Sequence, residues 1–435
     1  MKKKKVVIVG AGRSATHLIE HLAILAKDQI IDLIVADINL PSWTHLNSVE
    51  CAQVDIQNSE KVRQLLSGAF CVISMVPADY HICIVRPAVE MGVHAFTPSY
   101  VSSAINELHE LALSKDVLIL NEMGVDPGID HMSAMELIHR IKSQGMSIES
   151  FESYTGGLVA TRSDTNKWGY KISWNPRNIV LAGSTGHALF RENGKDRLLP
   201  YSKLFSEVVE VVAADGFKYE GYANRNSLTY VHDYGLDEAR TVKRGTLRKP
   251  GFSRGWNFLV QSGFTNDATL VPLTIVTWND LSESLLGEQA ISKLKQDVQL
   301  YEQLEELGLF SNKTLKRELQ SCAMHLQNLL EEKWKLAHGD SDKIVMVHRV
   351  RAIEKNKVRE FTSSLVIEGE DERYTAMSKT VGMPIAFAVE RMLRGEIKER
   401  GVRLPILPEL YGPILDDLQK IGIKFVETDV ACSQD

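Results

Sequence analysis

The sequence is poor in the features that mark a specialised architecture. Its 435 residues include only five cysteines, Cys51, Cys71, Cys83, Cys322 and Cys432. Their number is odd and none shows a CxxC or metal-ligand spacing, so neither a disulfide framework nor a metal site is expected. Scattered thiols instead point to a reducing compartment, and a cytoplasmic location is expected. No apolar run approaches the ~18 residues that a membrane-spanning helix needs. The lysines at positions 2–5 precede only a short apolar strand, too brief for a signal peptide, and read as a solvated terminus. Excess charge of one sign is also missing: 50 basic against 56 acidic side chains give a net charge of -6. No overall positive field then draws the chain onto nucleic acid or an anionic membrane, and any anionic ligand must be held by local basic groups. What remains is an ordinary globular balance, 44% apolar and 24% charged. At roughly 150 residues per domain, the length predicts two or three domains.

The first ~120 residues alternate strand and helix. Residues 6–9 form a β-branched run, Gly10-Ala11-Gly12 interrupts it, and 15–25 show helical apolar spacing. A second buried strand, 33–36, ends at Asp37; helix-like 59–67, 80–91 and 103–114 then alternate with strands 69–76, 94–97 and 117–120. Strands apolar on both faces and joined by helices predict a doubly wound parallel sheet of the α/β class. Beyond Asp126-Pro127-Gly128 the strands lengthen and turns rich in Gly and Asn appear, which predicts an α+β domain. Leucines at helical spacing between about 281 and 339 predict an all-helical subdomain inserted into it. The expected division is thus 1–128 with C-terminal helices 373–435, then 129–280 with 340–372, and the insertion 281–339.

Gly10-x-Gly12-x-x-Ala15 follows a strand and opens a helix, the context that a dinucleotide-binding turn requires. The first glycine permits the tight turn, the second lets a pyrophosphate approach, and Arg13, Ser14 and Ala15 begin the helix whose N–H groups face the phosphates. Asp37, 25 residues after Gly12, is placed to accept from the adenosine ribose hydroxyls, where a 2′-phosphate meets like charge; alternatively it caps the strand end. It favours NAD over NADP. Asp55 is placed either to approach adenine or to shape a turn. Ser74-Met75-Val76-Pro77 and Thr97-Pro98-Ser99-Tyr100 each follow an apolar strand, so Ser74, Val76, Pro77, Ser99 and Tyr100 lie at the carboxyl edge where open α/β folds bind ligands. The stretch 121–131 is a dense polar cluster. Asp126 is favoured there as a substrate contact, Asp130 reads equally well as a helix cap, and His131 stands beside both. Further on, Arg177, Arg225, Arg244, Arg248 and Arg254, with Trp174 in the same domain, gather guanidinium groups in strand and turn contexts, which suits a polycarboxylate ligand.

These motifs resemble those of the saccharopine reductase family, the glutamate-forming saccharopine dehydrogenases, over nearly the whole chain. The similarity runs through Gly10-x-Gly12, Ser99-Tyr100-Val101-Ser102, Asn121-Glu122, Asp126-Pro127-Gly128-Ile129-Asp130-His131 and Tyr154-Thr155-Gly156-Gly157-Leu158. It continues through Gly169-Tyr170-Lys171-Ile172-Ser173-Trp174, Tyr222-Ala223-Asn224-Arg225-Asn226-Ser227, Arg244-Gly245-Thr246-Leu247-Arg248 and Ala376-Met377-x-Lys379-x-Val381-Gly382. The resemblance implies a Rossmann domain, an α/β substrate domain and a small helical domain, commonly as a homodimer. It also implies a reaction of lysine metabolism, in which L-glutamate condenses with 2-aminoadipate 6-semialdehyde and a nicotinamide hydride reduces the imine to saccharopine. The implied substrate contacts are Ser99, Tyr100, Asp126, Trp174, Arg225, Thr246, Leu247 and Arg248.

Two residues depart from the fungal pattern. Thr155 stands where fungal members carry Cys, and Asp37 where NADP-using members carry a basic residue, so NAD is favoured with NADP as the alternative. Asp126 is expected to orient the substrate amine, with His131 or a water shuttling protons. A polyamine-forming enzyme such as a carboxynorspermidine synthase is the nearest rival, but a diamine calls for acidic or aromatic groups rather than arginines. A dinucleotide-binding regulator without catalysis is the other.

Overall fold

The structure is a computed structural model that describes residues 3–39, 46–173, 177–180, 187–355 and 357–431. The chain forms two compact units, Met1–Arg140 with Arg373–Lys424, and Ile141–Glu372 with Phe425–Asp435. The strands of the first unit are β1 (Lys4–Val9), β2 (Ile31–Asp37), β3 (Val49–Gln53), β4 (Ala69–Ser74), β5 (His94–Phe96) and β6 (Leu118–Leu120). The second unit contributes β7 (Ser147–Val159), β8 (Ala188–Glu192), β9 (Lys195–Leu199), β10 (Val209–Val212), β11 (Lys218–Ala223), β12 (Thr241–Arg248), β13 (Asp342–Glu354) and β14 (Lys357–Glu368). β15 (Gly401–Arg403) returns to the first sheet and β16 (Val426–Ala431) to the second.

The first sheet has seven strands in the order β15-β6-β5-β4-β1-β2-β3, every pair parallel. Strand order reverses between β1 and β4, and at such a switch point ligands of open α/β sheets bind beyond the carboxyl ends. Val6, Val7 and Ile8 are fully buried because helices cover both faces of this central strand. The helix Thr16–Lys27 turns Leu18, Ile19 and Leu22 into that core. β3 lies outside the expected pattern: its sequence VECAQ has no apolar run, and as an edge strand it is only half covered. The stretch 103–114, expected as one helix, is two, Ser103–Asn106 and His109–Ser114, the first capped by Ser102 accepting from the Ile105 N–H.

The second sheet runs β10-β11-β12-β7-β13-β14-β16, with the β8–β9 hairpin attached through β12. β12 and β7 are parallel, and the remaining neighbours are antiparallel. Pairing of β16 with β14 carries the last described residues into this unit rather than the first. The helices Trp278–Leu286, Val298–Leu307 and Cys322–Lys333 share one apolar cluster with Trp168, Tyr170, Phe252 and Trp256. Among the described residues no helix is long and apolar enough to cross a membrane.

Candidate active site

The glycine turn closes tightly onto the sheet. Gly10 has φ +103°, its N–H donates to the Ala36 carbonyl at 2.8 Å, and a Cβ there would lie 2.7 Å from the Met75 carbonyl carbon. Gly12 differs: its φ is -70°, and a Cβ would meet nothing within 4 Å. Its backbone therefore faces open space that a side chain would fill, as a close-approaching pyrophosphate requires. Arg13, Ser14 and buried Ala15 form a single 3-10 turn leading into the helix Thr16–Lys27, and no side chain caps either start. A helix start without a capping side chain, together with the helix dipole, suits an anion, so these residues fit a dinucleotide. Asp37 ends β2, and its carboxylate accepts from the Ala11 N–H at 2.7 Å and the Asn39 N–H at 3.2 Å, which fixes it against the glycine turn. Asp55 is exposed, and its side chain accepts from the Gln57 N–H at 2.9 Å, so its visible work is shaping the turn before the helix Ser59–Leu66. Ser74 is fully buried at the end of β4, with Val76 and Pro77 progressively more exposed after it.

Beyond β5 and β6 the two polar segments interlock. The Ser99 N–H donates to Thr97 Oγ1 at 3.0 Å, and the Ser99 carbonyl accepts from the Glu122 N–H at 3.1 Å. The Tyr100 hydroxyl donates to Asp126 Oδ1 at 2.9 Å, so two of the expected substrate contacts are bound to each other. Glu122 holds them there. Its backbone sits at φ +56°, a conformation that costs a residue with a side chain about 1–3 kcal/mol and is kept where its surroundings demand it. Its carboxylate accepts from the Val101 N–H at 3.0 Å and lies 2.6 Å from His131 Nε2. His131 is completely buried in the helix Ile129–Ser143. Asp130 accepts from the Gly128 N–H at 2.6 Å and so tightens the turn that precedes its own helix. The Asp126–Pro127 peptide is cis. Two residues not expected from sequence complete the region, Glu122 and His81. The His81 ring lies 2.7 Å from Ser74 Oγ and 2.8 Å from Ser99 Oγ, and burial pushes its pKa down to about 4. The polar 121–131 cluster signalled the first; nothing local signalled the second.

In the second unit the register of β12 separates its residues by face. Thr246 pairs with Tyr222 on β11 and with Thr155 on β7, so the three are cross-strand neighbours. Alternation places Arg248 on the Thr246 face and Leu247 on the other. Leu247 is fully buried in a cluster with Tyr154, Leu158 and Val345, and only its main chain is available to a ligand. Arg248 is 7% exposed, with its guanidinium 5.0 Å from the Tyr170 ring centre, 5.2 Å from Phe252 and 5.9 Å from Tyr222. Nη1 donates to the Leu247 carbonyl at 2.8 Å, whereas the buried Nε has no partner among the described residues. A buried charge that keeps an unpaired donor is costly, and an anionic ligand relieves it. Burial raises the Tyr222 phenol, with Arg248 working against it. Arg225 is exposed at φ +51°, its carbonyl accepting from the Leu189 N–H at 2.9 Å. Arg244 is buried over the Tyr230 ring, and Arg254 pairs on the surface with Asp297. Trp174 lies outside the described residues, as does the side chain of Arg177.

A family model described as "Saccharopine dehydrogenase NADP binding domain" matches residues 6–120, and one described as "Saccharopine dehydrogenase C-terminal domain" matches residues 124–423. The chain belongs to the saccharopine dehydrogenase family. It is 30% identical to the saccharopine dehydrogenase [NADP(+), L-glutamate-forming] of Saccharomyces cerevisiae, over 98% of this chain and 100% of that one. It is 31% identical to the alpha-aminoadipic semialdehyde synthase of Arabidopsis thaliana over 98% of this chain but 45% of the relative, so it spans about half the length of such relatives. Among solved structures, the apo saccharopine dehydrogenase (L-Glu forming) from S. cerevisiae superposes with a TM-score of 0.89 at 30% identity, covering 98% of this chain and 100% of that one. The homospermidine synthase of Legionella pneumophila, at a TM-score of 0.57 and 10% identity over 99% and 92% of the two chains, shares the fold. The first unit of this family member is a nicotinamide dinucleotide-binding domain.

Proposed function

We propose that the chain is a glutamate-forming saccharopine dehydrogenase, an oxidoreductase acting on a CH–NH group. It oxidises saccharopine with NAD and water to L-glutamate and 2-aminoadipate 6-semialdehyde, and reverses that reaction. The carrying observation is Arg248, a buried guanidinium with an unpartnered Nε among three aromatic rings, which suits one carboxylate of a substrate that has three. Exposed Arg225 serves a second carboxylate, and Thr246 with the main chain of Leu247 lines the same strand.

A bound nicotinamide dinucleotide supplies the hydride exchange. Around it the chain binds and orients. The open backbone of Gly12 and the uncapped turn at Arg13, Ser14 and Ala15 hold its phosphates. Asp126, fixed by the Tyr100 hydroxyl, orients the substrate amine; His131 acts from beneath, clamping Glu122 so that the segment bearing Ser99 and Tyr100 stays in register. Asp37 supports NAD over NADP, because its carboxylate occupies the strand end where a 2′-phosphate brings like charge. The same reading makes the chain a cytoplasmic homodimer: the described cysteines are free thiols, and light scattering tests for twice the 48.7 kDa chain mass.

The test is nicotinamide absorbance with purified protein and saccharopine, NAD in one cuvette and NADP in another, with carboxynorspermidine as control. Reduction that requires saccharopine and is faster with NAD is expected. Activity on the polyamine alone refutes the substrate, and faster reduction of NADP refutes the Asp37 argument.

A further inference from the structure

His81 begins the helix His81–Glu90 immediately after the β4 turn, 1% exposed, in a stretch that otherwise reads as an ordinary crossover. Its ring bridges two strand ends, with Nδ1 2.7 Å from Ser74 Oγ at the end of β4 and Nε2 2.8 Å from Ser99 Oγ beyond β5. A neutral imidazole has one N–H and one bare nitrogen, so such a bridge has a direction. The direction follows from Ser74. Its hydroxyl is fully buried and has no other hydrogen-bond partner among the described residues, so its proton is satisfied only by donating to Nδ1. Nδ1 is then the bare nitrogen, Nε2 carries the hydrogen and donates to Ser99 Oγ, and the Ser99 proton is left pointing to whatever binds. The Ser99 main chain is already fixed on both sides, its N–H on Thr97 Oγ1 at 3.0 Å and its carbonyl on the Glu122 N–H at 3.1 Å. Rotation of the hydroxyl is the freedom that His81 removes.

We propose that His81 is a positioning residue for the dehydrogenase site: by bridging Ser74 and Ser99 it makes the Ser99 hydroxyl a one-way donor to an oxygen acceptor, either a substrate carboxylate or the carboxamide of the nicotinamide. The inference rests on the reading of the chain as a dehydrogenase and names how one of its contacts is set. Ser99 Oγ keeps one lone pair beside its free proton, and only a ligand that offers an acceptor satisfies that proton.

Asn and Gln reproduce different halves of an imidazole: an Asn amide reaches the Nδ1 position, a Gln amide the Nε2 position. His81→Asn therefore keeps the Ser74 side and loses Ser99, and kcat/KM is expected to fall about tenfold, whereas His81→Gln loses at least threefold less. On a Ser99→Ala background His81→Asn is expected to cost less than a further twofold, since its effect runs through that hydroxyl. Independent, additive losses overturn the proposal. A rise confined to the KM of saccharopine assigns the acceptor to the substrate, and one confined to the KM of the dinucleotide assigns it to the nicotinamide; both support it. Nitrogen-15 shifts of the wild-type His81 ring at pH 7 provide a reading that no variant can disturb: Nε2 protonated and Nδ1 bare are expected, and an imidazolium or the opposite tautomer overturns the direction. Wild-type protein that leaves saccharopine untouched refutes the proposed reaction, while the ring shifts, and the double-variant cycle run on dinucleotide affinity, still judge His81 by itself.

Discussion

Replacing Arg248 with Met separates binding from stability. Hydrogen bonds to charged groups are worth about 1.5–3 kcal/mol. Loss of a guanidinium–carboxylate contact of about 3 kcal/mol corresponds to roughly a hundredfold rise in the KM for saccharopine. The apo protein responds differently because the native arginine is expensive where it sits. Met sacrifices the bond from Nη1 to the Leu247 carbonyl, about 2 kcal/mol, and the contacts with Tyr170, Phe252 and Tyr222, together about 1–2 kcal/mol. It also removes a buried charge whose Nε is unpaired, which returns several kcal/mol, and a thioether packs well among aromatic rings. These opposing contributions close within about 2 kcal/mol of zero, a shift of a few degrees in Tm. Saccharopine kinetics and thermal unfolding with and without saccharopine provide the readings: saccharopine is expected to stabilise the wild type and not the variant. An unchanged KM with a Tm lowered by ten degrees or more would show that Arg248 is a structural cation and would remove the main support for a carboxylate ligand.

Three further outcomes are expected. Gly12→Ala should weaken dinucleotide binding by tenfold or more at unchanged Tm, since its φ of -70° suits alanine and only the approaching ligand meets the new methyl; Gly10→Ala, at φ +103° and 2.7 Å from Met75, should instead lower stability by about 2 kcal/mol or more. Equal Kd shifts without a difference in Tm would contradict that contrast. Asp37→Ser should raise the ratio of NADP to NAD turnover about tenfold, and an unchanged ratio would show that the carboxylate does not face the ribose. Stability should fall with acid: burial holds both His81 and His94 at about 4 in the fold, the unfolded chain takes up those protons near pH 6.5, and stability present above that value is lost as pH falls from about 6.5 towards 4. Urea unfolding at pH 7 and pH 5 should differ by roughly 2 kcal/mol for each histidine, and a flat profile would mean that one or both rings are solvated.

The parallel unit was legible because a central strand covered on both faces must be apolar throughout, as 6–9 and 33–36 are. β3 was hidden for the same reason, since an edge strand needs no such run. Ser99 and Tyr100 could be read from their place after a strand and Asp126 from the polar cluster 121–131, but the grip that joins them was not legible: Glu122 acts through a left-handed backbone and a partner nine residues on, which only the folded turn brings together. His81 and Ser99 are 18 residues apart and each looks ordinary where it stands. Among the arginines, sequence pointed to a group rather than to a member. Arg244 over Tyr230 is as buried as Arg248, and Arg254 pairs on the surface with Asp297; what singles out Arg248 is its buried Nε, which has no partner among the described residues. Asp55 shows the converse, a plausible ligand whose side chain is already bonded within its own turn.

Product analysis shows whether saccharopine is cleaved to L-glutamate. Purified protein with saccharopine and NAD is run to completion, and free amino acids are counted against reduced dinucleotide. One L-glutamate for each NADH, accompanied by an aldehyde that carbonyl reagents trap, is the predicted result. Lysine in place of glutamate, or NADH without either, would contradict it.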